Sequence, residues 1–185
     1  MKKGLLYLGM IAVTMGMFTT KVMAQDVLTA GDAVTYTMPE MKLLAVAGTA
    51  PALTFVAPAN GAAIADVTSS GSWLNYTSIV SGILKNRIQV KITGTVPAGT
   101  TLKVVAAAPA ATGDGAKGTS GSEVTLDATD KNLITLIGSC YTGTGASSGA
   151  QLTYTWSVNS DGYADLRSNA EASNISTVYT ILAGQ

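Results

Sequence analysis

The chain has 185 residues, of which only 12% are charged, with a formal net charge of zero, one cysteine and no histidine. Without histidine there is no Ser-His-Asp or Cys-His nucleophile and no histidine-bound zinc, and one cysteine forbids an intrachain disulfide framework. A chain without excess positive charge offers nucleic acid no basic footprint.

Met1 to Ala24 begins with Lys2 and Lys3, continues as an apolar run of 14 residues from Leu5 to Phe18, and ends on the small residues around Val22-Met23-Ala24. That is the pattern of a secretory signal peptide, and the run is shorter than the roughly 20 residues a membrane-spanning helix needs. Cleavage is expected between Ala24 and Gln25. Residues 25–185 would then form one domain, located in the periplasm, on the cell surface or outside the cell, with no membrane span and no nucleic-acid partner. Export removes Lys2, Lys3 and Lys21, leaving 8 basic against 11 acidic side chains, a net charge of −3. At that length about 68–70% of the unfolded chain's surface is buried, enough for a core without staples.

In the mature region, Val34, Tyr36 and Met38 alternate with Thr35 and Thr37, so a strand over Ala33 to Met38 is expected, interrupted at Pro39. Met41 to Ala47 continues as a more uniformly apolar run, and Leu53, Phe55 and Ala57 alternate once more. Ser69 to Ser72 reads as a polar turn leading into a short aromatic strand, Trp73 to Thr77. The central stretch is Asn86 to Ala106: Ile88, Val90, Ile92 and Val96 alternate with polar residues, Val96-Pro97-Ala98-Gly99 carries turn chemistry, and Leu102, Val104 and Ala106 resume the period. Two antiparallel strands joined by a tight turn are expected there.

Pro109 to Ser122 has the composition of a long exposed loop. Val124 and Leu126 mark a brief strand, Leu133 to Ile137 an apolar strand buried on both faces, and Gly138 to Gly149 a second Gly/Ser/Thr segment. Leu152, Tyr154, Trp156 and Val158 alternate with Thr153, Thr155 and Ser157, the clearest period-2 pattern in the chain. A helical turn has a place only between Asn159 and Asn174, before a last strand from Ile175 to Leu182. The expected fold is all-β, an antiparallel two-sheet immunoglobulin-like sandwich of nine to eleven strands.

Chemistry-bearing patterns are sparse. Gly113-Asp114-Gly115-Ala116-Lys117-Gly118 matches the dinucleotide fingerprint in spacing. Its flanks are loop-like, however, where that motif needs a strand before it and a helix after it, so a flexible hairpin loop is expected. Asp114, Glu123, Asp127 and Asp130 lie in one short region but lack the EF-hand spacing. No catalytic residue, cofactor or metal site is expected. Tyr141 and Tyr163, placed in loops, are the candidate binding aromatics for a carbohydrate ligand. Cys140 reads as a buried thiol, with an intermolecular bridge or a reactive group as the alternatives.

The runs Trp73-Leu74-Asn75-Tyr76-Thr77-Ser78, Arg87 to Ile92, Val96 to Thr100, Ile137 to Gly145, Leu152-Thr153-Tyr154 and Thr177 to Ile181 resemble a family of uncharacterised secreted β proteins of Gram-negative bacteria. In outline the chain is also similar to fimbrial subunits of the chaperone-usher type, which are exported, poor in charge, immunoglobulin-like and end in an alternating strand. Such subunits commonly carry a glycine fourteenth from the end, where this chain has Glu171-Ala172. The resemblance implies a non-enzymatic surface or fimbria-like structural or adhesion protein whose partners are copies of itself or other surface subunits. A carbohydrate- or ligand-binding module and a glycoside hydrolase using carboxylates alone are the alternatives. Val34, Tyr36 and Met38 are the candidate strand-exchange residues. An intramolecular place for them is favoured, because Pro39 leaves little spacer before the next strand.

Overall fold

A computed structural model describes residues 31–168 and 175–184. The expected signal peptide, its cleavage point and the Glu171-Ala172 pair lie outside them. The chain divides between Thr37 and Met38 into an N-terminal unit and a unit that holds every strand among the described residues.

The regular structure is β1 Met41–Gly48, β2 Val67–Ile79, β3 Asn86–Thr93, β4 Thr100–Ala106, β5 Asp114–Gly115, β6 Thr119–Ser120, β7 Val124–Thr125, β8 Lys131–Ile137, β9 Cys140–Tyr141, β10 Ala150–Val158, a short 3-10 turn Gly162–Asp165, and β11 Ser176–Ala183. The strands form two antiparallel sheets. The seven-stranded sheet runs β5-β9-β2-β10-β4-β7, with β1 also on β2; the four-stranded sheet runs β11-β3-β8-β6. Leu74 pairs with both Val46 of β1 and Ala150 of β10, and Thr77 with both Leu43 of β1 and Tyr141 of β9. Therefore β1 is an edge strand, and β10 and β9 lie end to end along the opposite side of β2.

Alternation makes the core. Ile88, Val90 and Ile92 of β3, Leu102, Val104 and Ala106 of β4, and Ala150, Leu152 and Tyr154 of β10 are all buried, while the residues between them are not. Each large aliphatic side chain so placed contributes about 1.5–3 kcal/mol of burial free energy. Two antiparallel sheets facing one shared apolar cluster make this all-β unit a sandwich. Two polar groups that enter the core satisfy each other: Asn86 Nδ2 donates to Ser78 Oγ at 2.9 Å.

Several expectations give way. The hairpin over Asn86 to Ala106 is not one: β3 and β4 belong to different sheets. The turn does close, with Thr100 N donating to Pro97 O at 3.1 Å. The chain from Gly94 to Gly99 is long enough to cross the roughly 10 Å between facing sheets, so both alternating faces meet the same core from opposite sides. Val34, Tyr36 and Met38 are not in a strand, since residues 31–40 carry no regular structure; alternation specifies a face, but a strand also needs a partner edge. Leu53, Phe55 and Ala57 likewise form no strand, although Leu53 packs on the core and Phe55 stacks on Trp156 with ring centroids 3.9 Å apart.

The polar stretch Ser69 to Ser72 lies inside β2, which has 13 residues. Leu152 pairs with Ser72 but Tyr154 with Ser69, so Ser70 and Gly71 together oppose Thr153 in a bulge. A turn-like composition here marks a bent strand. Leu133 to Ile137 is not buried throughout. Asn86 pairs with Ile137 and Ile88 with Ile134, so Thr135 and Leu136 together oppose Arg87, and this bulge throws Leu136 outward at φ 58°. Leu126 is buried beyond β7, its N–H donating to Leu102 O at 2.8 Å.

Candidate functional surface

The segment with the dinucleotide spacing is an ordered crossing between the sheets. It carries β5 against β9 in one sheet and β6 against β8 in the other. Its glycines press on backbone: a Cβ on Gly113 would lie 1.9 Å from Tyr141 O, on Gly115 2.3 Å from Ser139 O, and on Gly118 2.5 Å from Thr135 O, all three at positive φ. Close approach explains the spacing without a ligand. Lys117 Nζ donates to Ala110 O at 2.6 Å and to Thr112 O at 2.9 Å, which ties the crossing down.

The four acidic residues are each engaged locally. Glu123 pairs with Lys103 at 3.1 Å, Asp130 with Lys91 at 3.2 Å and Asp127 with Lys131 at 2.6 Å, while Asp114 accepts from the Gly115 N–H at 2.7 Å. Hydrogen bonds from Lys131 and from Thr129 lower the Asp127 pKa to about 2. Among the described residues no group of three or more Cys, Asp or Glu side chains is arranged to hold a metal ion.

The candidate tyrosines are not brought together. Tyr141 lies in the short strand β9 rather than in a loop, beside Thr77, and is exposed. Tyr163 sits in the 3-10 turn after β10, and its hydroxyl accepts the Ile64 N–H. Trp156 of β10, before the turn that holds Tyr163, pairs with Val67 at the other end of β2 from Thr77, so the two tyrosines lie toward opposite ends of that strand. Cys140 is buried at the floor of an open depression of about 260 Å³ that Tyr141, Asp114 and Ile79 also line. Burial pushes its thiol pKa up against the opposing charge of Lys117, so at neutral pH it is a protonated thiol and a poor nucleophile.

Apolar surface without cover is the more distinctive feature. Val34, Tyr36 and Met38 are 82%, 89% and 72% exposed, and β1 adds Leu43 and Val46, which are exposed on opposite faces of that strand. A second exposed group surrounds the β2–β3 connection: Ile83 at 94%, Leu84, and Leu136 at 62%. Lys85 and Arg87 flank it, and with Leu136, Thr135, Asn86 and Gly184 they line a small notch of about 30 Å³. Arg87 Nε is buried and makes no hydrogen bond among the described residues. Nothing in the sequence marked Leu136, which reads as core. Ile83 and Leu84 had a signal in Ser81-Gly82 just before them, a turn pair that puts its neighbours at the surface.

No helix among the described residues is long and apolar enough to cross a membrane. No protein family, curated protein or solved structure matches the chain.

Proposed function

We infer that this is a non-enzymatic, exported structural or adhesive protein whose copies associate on or outside the cell surface, in the manner of a fimbria-like subunit. The observation that supports this reading is the exposure of Val34, Tyr36 and Met38 in a segment that has no strand of its own. Alternating apolar side chains held in water are costly, at about 25 cal/mol for each Å² of apolar surface, and contiguous exposed patches mark protein–protein contact. An edge strand, β1, with Leu43 and Val46 uncovered adds to it, since unblunted edges take up further strands.

The test is association of the purified chain, by light scattering across a concentration series together with negative-stain electron microscopy. Concentration-dependent oligomers or filaments are expected. Removal of Gln25 to Met38 should abolish them while the sandwich keeps its melting temperature. A chain that remains monomeric at high micromolar concentration overturns the reading.

A further inference from the structure

We propose that the notch lined by Lys85, Arg87 and Leu136, with the exposed Ile83 and Leu84 just before Lys85 in the chain, is a docking site for the segment Asp32 to Met38 of a second copy. This contact rests on the self-association reading and gives it a location. In extended conformation Asp32, Val34, Tyr36 and Met38 project from one face, because side chains two apart share a face at about 7 Å spacing. That face is an anion followed by an apolar stripe. The notch presents the complement: two cations beside exposed leucines and an isoleucine.

Other cations of the sandwich are occupied. Lys42, Lys91, Lys103 and Lys131 form ion pairs, and Lys117 is bound to carbonyls. Lys85 and Arg87 make no ion pair among the described residues. A carboxylate there supplies a charge-assisted partner. Leu136 adds a second, independent sign. A leucine in the left-handed region is costly, and the bulge that holds it so also keeps its side chain in water; strain of this kind clusters at functional sites. Asp32 accordingly enters the cationic notch while Val34 and Tyr36 cover Leu136 and Leu84.

Charge reversal tests the contact. One variant carries Lys85→Glu with Arg87→Gln, the other Asp32→Lys, and thermal melting establishes that both are folded. Each alone should associate at least about tenfold more weakly than the wild type, because like charges then face each other. An equimolar mixture should recover association, since each variant's segment then meets an opposite charge on the other's notch. Recovery in the mixture is possible only between molecules. Variants that associate as the wild type does, or a mixture that fails to recover, overturn the docking while leaving self-association standing. A wild type that stays monomeric removes both. A variant that loses melting temperature and is not rescued by its complement places the segment on its own subunit and overturns the proposal.

Discussion

At the scale of single residues, the side chains that decide stability are those whose face is fixed by a neighbour on each side. Trp156 lies on β10 between β2 and β4, packs on the core and stacks on Phe55, yet it keeps some exposure. Trp156→Ala should therefore cost about 3 kcal/mol, the low end of the range for large aromatics. Thr155→Ala, one residue away on the opposite face, should cost less than about 0.5 kcal/mol. Phe55→Ala should lose much of its own effect once Trp156 is gone, with a coupling of about 0.5–1.5 kcal/mol in a double-mutant cycle read by urea titration. Additive losses would mean that the two rings do not stack. Residue-scale inference worked well here because period 2 assigns a face without knowledge of any partner. It failed at Leu136, because a bulge changes the face of a residue and leaves no mark in an apolar run.

The long strands of the core were legible, although Ala33 to Met38 and Leu53 to Ala57 alternate without forming one, but the strands' neighbours were not. Alternation in Asn86 to Ala106 gives the same buried set whether the two strands pair with each other or cross between sheets, and only β11 and β8, distant in sequence, decide that β3 stays in the smaller sheet. The Gly-rich crossing shows the reverse problem. Its composition suggests a flexible loop, while its three glycines are where the chain passes against β8 and β9. Two substitutions separate close approach from backbone freedom. Gly113→Ala meets Tyr141 O at 1.9 Å, whereas Gly145, at φ 84°, has open space around it. Gly145→Ala should cost only left-handed strain, about 1–2 kcal/mol. Gly113→Ala should cost clearly more, since strand β9 must shift as well. Equal melting temperatures for the two variants would show that β5 does not lie against β9.

For the whole molecule, the question is what locks two sheets that share no ladder into one packing. Part of the answer is a polar contact set within the apolar interface: the Tyr154 hydroxyl of β10 hydrogen-bonds the Tyr179 hydroxyl of β11, bridging the larger sheet to the smaller. Burial, reinforced by Tyr154, pushes the Tyr179 phenol far above its ordinary pKa; burial and the Cys140 thiol do the same to Tyr76. In the unfolded chain both ionise near pH 10. Above that pH the unfolded state binds fewer protons than the folded state, so stability is fully present below about pH 10 and falls as pH rises further. Chemical denaturation at pH values from about 8 to about 11.5 should show that decline. Tyr179→Phe should be less stable than the wild type at the lower end of that range, because the bridge is lost and the Tyr154 hydroxyl keeps only its long contact to Thr177 Oγ1 at 3.5 Å. It should also lose stability more gently on the alkaline side, since one of the two raised phenols is gone. Parallel pH profiles for the two proteins would mean that Tyr179 is ionisable in the folded state, and hence that β11 does not close over β10.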